Sequence, residues 1–485
     1  MSRKLTRRFF CKSTLAISAL APPLTSTTQT YKSPAMAKTS RSSESIKAFR
    51  GSFLDCVADP FYVSQAESIR FIPDGLLVLK DGKVEAFGNF TTVQDKYSGV
   101  PITDYSGFLI TPGFIDIHIH YPQTEMVAAY GEQLLDWLNK YTFPIERQFQ
   151  DKSYAQRIVS FFLDELVKNG TTTALVFAAV FPESVDAFFE EAERRNLRMI
   201  AGKVMMNRNA PEYILDTAQS SYEDSKHLIK KWHKKGRLLY AVTPRFAITS
   251  TDEQLQLAGK LLQEFPDIYM HTHLSENKDE VASVLELFPD SQDYLAVYEK
   301  AGLAGSRSVF AHGIYLSDSE FERLSKANCA CAFCPTSNLF LGSGLFNLAK
   351  AKSTTTPVKV GLGTDVGGGT SFSILQTANE AYKVAQLQGQ ILSSFQALFL
   401  ATLGGAKALS LEDKIGNFDV GKEADFVVLN MLATPLLKLR NQDKSPGIST
   451  LEEVSDQLFA VLILGDSQVV RATHVMGTLA YTKNG

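Results

Sequence analysis

Eight histidines are spread over 485 residues, and two of them, His118 and His120, close the run FIDIHIH at residues 114 to 120. Side chains two apart on a strand share a face, with about 6.5 Å of backbone between them. Two imidazoles so placed can close on one ion. Other ionisable residues end comparable runs: Arg245, His273 with Glu276 three residues beyond it, His312, and Asp365. We assign His118, His120, His273 and Asp365 as ligands of one metal ion per chain. Three imidazoles and a carboxylate suit zinc, with iron as the alternative, and leave a coordination position open for water. His312 is either a further ligand or a residue behind the ligands that holds the attacking water. Such a centre performs hydrolysis, because a bound metal lowers the pKa of water from about 15.7 to about 7.

Side chains so far apart in sequence need a scaffold that gathers strand ends. Between residues 114 and 365, eight short β-like runs alternate with stretches of helical period: 114 to 120, 171 to 177, 198 to 205, 238 to 245, 268 to 274, 308 to 313, 329 to 335 and 358 to 365. That alternation is the mark of βα units and a parallel sheet, and eight units predict an α/β chain with a (β/α)8 barrel. Such barrels carry their chemistry at the C-terminal ends of the strands, where every residue named above falls. His271 shares a face with His273 but lies one layer deeper, so it is expected to pack in the barrel interior. His227, His233 and His474 stand in polar, surface-like contexts and receive no role. One helix, residues 154 to 168, is expected to bury Ile158, Phe161, Phe162, Leu163 and Leu166 and to stop at Asn169-Gly170.

The flanks have a different texture. Residues 46 to 110 and the segments 415 to 430 and 468 to 482 read as strands, with Asp-Gly pairs as hairpin turns. Hairpins alone are marginal, so the N- and C-terminal segments are expected to join in one small β-sandwich domain. The organisation that follows is a leader at 1 to 37, part of the β domain at 38 to 111, the barrel at 112 to 409, and the rest of the β domain at 410 to 485.

Hydrophobic residues make up 45% and charged residues 21%, with a net charge of −3, an ordinary globular balance. A chain without a basic footprint is not expected to bind nucleic acid. It has no internal apolar run of about 18 residues, so it is not expected to span a membrane. Three of its five cysteines, Cys329, Cys331 and Cys334, crowd into one run. A single CxxC lacks the second pair that a structural zinc site needs, and the spacing is read as a packed strand. Residues 1 to 25 begin with basic residues, carry Arg7-Arg8 before Phe9-Phe10, and continue into a modest apolar segment. This has the form of a twin-arginine export signal. Two locations follow: periplasmic if the leader is used, cytoplasmic if translation begins at Met36.

From about Ile46 to its end the chain resembles the amidohydrolase superfamily and, within it, the bacterial guanine deaminases. The segments that carry the likeness include PGFIDIHIHYPQTEM (112 to 126), YGEQLLDWLNKYTFPIER (130 to 147), VTPRFA (242 to 247), HTHLSENKDE (271 to 280) and GLGTDVGGGT (361 to 370). The leader is the departure from the family pattern. The resemblance implies a zinc-dependent conversion of guanine and water to xanthine and ammonia, by attack of metal-bound hydroxide on carbon 2 of the ring, in a homodimer. It matches His118, His120, His273 and Asp365 to the metal ligands and counts His312 with the site. Glu276 matches the acid/base, while Gln123, Arg245 and Phe246 match positions that hold the purine. Asp365 and His312 would orient the water and accept its proton. A carboxyl at Glu276 can protonate a ring nitrogen and then the departing ammonia; its other reading is an acid in the first turn of a helix capped by Ser275. Arg245 offers a fork of donors for a purine carbonyl, Phe246 a stacking face, and Gln123 a donor and acceptor for the ring edge. Rival readings are a related mononuclear enzyme that deaminates or dechlorinates another heterocycle, and a non-catalytic binding protein derived from the barrel. A binuclear hydrolase of the same fold would place a bridging lysine at the end of the fourth strand, where this chain has Thr243-Pro244-Arg245.

Overall fold

The computed structural model describes residues 46–131, 133–441 and 449–483. The leader, with Cys11 and Met36, lies outside the described residues. Eight parallel strands follow the expected runs closely: Phe114–His120, Thr171–Phe177, Arg198–Gly202, Leu239–Pro244, Tyr269–Leu274, Ser308–His312, Ala330–Phe333 and Lys359–Leu362. They are hydrogen-bonded in sequence order, and a short strand, Val204–Met205, pairs beside the fourth. The barrel is nearly closed. Two backbone bonds join its first strand to the segment after the last: Asp365 N–H to His118 O at 2.9 Å and His120 N–H to Val366 O at 3.0 Å.

Every residue of the first two strands is buried, including the polar residues Asp116, His118 and His120 that alternate with isoleucines along the first. Helices cover the outside; the longer ones are buried along one stripe, while Ser394–Ala401 and Leu403–Ala408 are buried nearly all round. The helix Lys152–Lys168 starts at Asp151, whose side chain accepts from the Ser153 N–H, and ends at Asn169 before Gly170, whose φ is +82°. It buries Ile158, Phe162, Leu163 and Leu166, but Phe161 is 54% exposed. At 3.6 residues per turn Phe161 falls about 60° outside the buried arc, so that expectation is corrected.

A seven-stranded sheet draws on both ends of the chain. Its order is Thr478–Thr482, Val470–Val475, Phe426–Leu429, Ile102–Pro112, Ile46–Cys56, Ile69–Lys80 and Lys83–Asn89. Strand Phe426–Leu429 pairs antiparallel with Ile102–Pro112, so the two flanks complete one another. Of the Asp-Gly pairs read as turns, Asp81-Gly82 is one, with φ of 51° and 80°, the form a two-residue hairpin requires. Asp74-Gly75 instead lies inside Ile69–Lys80, where Gly75 pairs with Gly51 next to a bulge. A Cβ on Gly75 would lie 2.7 Å from the Phe53 ring, so this glycine serves close approach and not a turn.

His474, assigned to a surface-like context, is 3% exposed in this sheet, bonded to Tyr105 Oη at 2.9 Å and stacked on Phe426. The strand Val470–Val475 turns it onto the apolar face of the sheet. Sheet and barrel are tied together by charge. Glu423 accepts from Arg198 Nε at 2.7 Å and Arg237 Nη2 at 2.8 Å, and Arg237 also pairs with Asp425. Cys56, Cys329, Cys331 and Cys334 are buried free thiols, and burial raises the pKa of each. Among the described residues no helix is long and apolar enough to cross a membrane.

Candidate active site

The first strand ends in two histidines whose Nε2 atoms lie 3.3 Å apart. His273, from the fifth strand, brings its Nε2 to 3.2 Å from that of His120. Asp365 closes the group, with Oδ1 3.1 Å from His118 Nε2 and 3.3 Å from His120 Nε2. All four donor atoms lie within 4.8 Å of one another. Asp365 has φ of 50° and His312 φ of 72°, left-handed values that cost about 1–3 kcal/mol each in a non-glycine residue. Both sit just where strand gives way to loop, and the bend turns their side chains into the barrel mouth.

These four residues fit a metal ion. Ligands on a tetrahedron of about 2.0 Å radius lie about 3.3 Å from one another, which matches the observed spacing. Imidazole nitrogens at that distance repel unless a proton or a cation stands between them. Burial pushes the His120 ring down to about 3 and lowers His118 and His273 as well, which keeps the rings neutral, the form that ligates.

A second layer fixes the first. His118 Nδ1 is 2.8 Å from His271 Nε2, and His273 Nδ1 donates to the Arg245 carbonyl at 2.7 Å. Asp116, fully buried, accepts from the Thr364 N–H at 3.1 Å and the His118 N–H at 3.2 Å, tying the first strand to the loop that carries Asp365. Burial pushes its carboxyl up to about 7. His312 stands beside the four donors. Its Nδ1 meets Asn338 Oδ1 at 2.8 Å, and its Nε2 lies 3.5 Å from Glu276 Oε2 and 3.8 Å from Asp365 Oδ2, without a hydrogen-bond partner of its own.

Glu276 lies two residues past the fifth strand and is 3% exposed. Ser343 Oγ donates to its Oε1 at 3.2 Å. Burial, reinforced by the nearby charge of Asp365, raises its pKa, so it can hold a proton at neutral pH. The helix that follows, Lys278–Leu287, is capped by Asn277 and not by Ser275. A side chain turned inward before the helix starts is no solvated first-turn acid.

His120, His273, Glu276, His312 and Asp365 line one pocket together with Gln123, Trp137, Arg245, Phe246 and Leu341. Arg245 and Gln123 meet at Glu146, which is completely buried. It accepts from Arg245 Nη1 at 2.9 and 3.0 Å and from Gln123 Nε2 at 3.0 Å. Every candidate from the sequence thus reaches one place.

What sequence reading missed are Glu146, Asn338 and the bond made by His271. A lone acid in the run YTFPIER and an asparagine just past the seventh strand were the available signals. His271 lies in the interior, as its depth on the strand predicts, but its ring also meets the ligand His118.

The chain matches the model of the Amidohydrolase family over residues 109–471. It is 56% identical to guanine deaminase of Escherichia coli over 443 residues, 90% of this chain and 98% of that one. The solved structure of E. coli guanine deaminase superposes with a TM-score of 0.87, covering 90% of this chain and all of the other. Guanine deaminase from Bradyrhizobium japonicum, 43% identical, gives 0.89 over the same shares. A guanine deaminase from C. acetobutylicum, solved with guanine bound in its active site, is 29% identical and gives 0.80, again over 90% of this chain and all of that one. With its parallel barrel, its sheet drawn from both ends and its cluster of three histidines and an aspartate, the chain belongs to the amidohydrolase family and, within it, to the guanine deaminases.

Proposed function

We propose that this enzyme hydrolyses guanine to xanthine and ammonia at the rim where His118, His120, His273 and Asp365 converge. The single observation that carries the reading is that one pocket is lined both by members of this metal-ligand set, His120, His273 and Asp365, and by the donor-bearing pair Arg245 and Gln123. Zinc is the ion the donor set favours, and when bound it supplies the acidification of water that no side-chain base provides.

The chain's own residues supply the rest. Arg245 directs guanidinium donors at the purine carbonyl, Gln123 meets the ring edge, and Phe246 packs on the ring plane. Asp365 and the unpartnered Nε2 of His312 orient the attacking water, and Asp365 takes its proton. Glu276, protonated at the outset, gives its proton to the ring nitrogen beside the attacked carbon; the emptied carboxylate then takes the water proton held by Asp365, passes it to the departing amino group, and is reprotonated by the added hydroxyl as carbon 2 becomes a carbonyl. Water adds at carbon 2, the bond to the 2-amino group breaks, and the leaving nitrogen departs as ammonia.

Ammonia release from guanine, adenine, cytosine and S-adenosylhomocysteine tests the reading. Guanine is expected to be strongly preferred, because a site with donors for a carbonyl penalises a base that lacks it by roughly 10⁴-fold in favourable cases. Preference for any other substrate overturns it. Elemental analysis against zinc and iron tests the ion. A homodimer, implied by the family resemblance, is tested by light scattering. Export through the leader is tested by N-terminal sequencing of native protein.

A further inference from the structure

We propose that Glu146 is the positioning residue for purine recognition: its carboxylate holds Arg245 and Gln123 as one rigid, neutral donor unit, and so sets selectivity for a base with a carbonyl. This rests on the reading of the cavity as a guanine site.

Glu146 is 0% exposed, and the Arg245 side chain it meets is 3% exposed. A lone guanidinium at such depth is costly to desolvate, and with a carboxylate at 2.9 Å the pair carries no net charge. Replacing such a pair by apolar residues is often neutral or stabilising, so stability alone is a weak reason for its presence. Its geometry has a second use. One carboxylate oxygen, Oε1, accepts from both Arg245 Nη1 and Gln123 Nε2, each at 3.0 Å. Two side chains that follow different strands, the first and the fourth, are thereby locked together.

Gln123 is held at its other end too, where the Gly367 N–H donates to Oε1 at 3.3 Å. The amide is therefore fixed in one orientation, nitrogen towards Glu146 and oxygen towards the loop bearing Asp365. Arg245 keeps its remaining N–H donors for the cavity. Glu146 itself does not line that cavity, so it acts through Arg245 and Gln123. Donors held rigid before binding lose little entropy on binding, and that gain is largest for a ligand that uses all of them.

The test compares guanine with 2-aminopurine, which keeps the 2-amino group and lacks the carbonyl. In Glu146→Gln, kcat/KM for guanine is expected to fall about 100-fold, mostly through KM, while 2-aminopurine loses tenfold or less, so the ratio between the substrates drops at least tenfold. Metal content should stay at one ion per chain. Glu146→Asp keeps the charge but withdraws the carboxylate by one methylene, and should lower the same ratio less steeply. A Gln123→Ala/Glu146→Gln double-mutant cycle should show the two losses to be less than additive. Equal losses for both substrates, an unchanged ratio, or full additivity overturns the proposal. If the unmodified enzyme releases no ammonia from guanine, it is the assignment of the site that fails instead.

Discussion

The backbone carbonyl of Arg245 accepts the Nδ1 proton of His273 at 2.7 Å, so one residue orients a metal ligand with its main chain and lines the substrate cavity with its side chain. The two duties are separable by mutation. Arg245→Met should leave the carbonyl, and hence one metal ion per chain, in place, while kcat/KM for guanine falls by about 10³ or more. Elemental analysis beside steady-state kinetics checks this. Loss of metal from the variant would mean that the side chain also supports His273.

The bond from His271 to His118 predicts a different signature. Removing a partner that orients a ligating imidazole typically costs 10–100-fold in metal affinity. His271→Phe, of similar bulk, should show that loss in competition with a chelator, with activity recovered at saturating zinc or iron. An unchanged affinity would return His271 to the role of simple interior packing.

Glu276 should be required for chemistry but not for metal binding. Glu276→Gln is expected to keep the ion and to lose 10²–10⁴-fold in kcat, measured by ammonia release. Removal of the ion from the unmodified enzyme should abolish turnover altogether, with zinc or iron restoring it. Activity that survives complete demetallation would sink the mechanism.

The junction between sheet and barrel gives a stability prediction with a definite sign. Burial would raise the Glu423 carboxyl, but Arg198 and Arg237 outweigh it and hold the pKa below its usual 4.5. A depressed carboxylate stabilises the fold fully above its unfolded pKa, and the contribution fades as pH falls through the lower, folded value. Glu423→Gln should therefore cost about 3 kcal/mol at neutral pH by leaving buried guanidinium groups underpaired. The gap to the unmodified protein should hold down to about pH 5 and shrink below about pH 4.3. Denaturant unfolding across that range checks it, and a gap that stays constant into acid would rule the contribution out.

Much of this molecule is local in origin. Short apolar runs alternating with amphipathic helices specify βα units because strand and helix each need one period of burial, and eight such units have one common way to close. A histidine or aspartate at the end of a run is placed at the mouth by that periodicity, so His118, His120, His273, His312 and Asp365 are legible as a set in the sequence. The relation between groups with no sequence link was not legible. Glu146 is an unremarkable helix acid until folding brings Arg245 and Gln123 to the same oxygen, and His271 is an interior residue until its ring meets His118. Asp74-Gly75 and Phe161 show the converse: a turn signal and an apolar residue overruled by a sheet partner and by the angle of a helix face. Periodicity decides which way a side chain points; what it meets there depends on contacts between distant segments, and these exist only once the chain has closed.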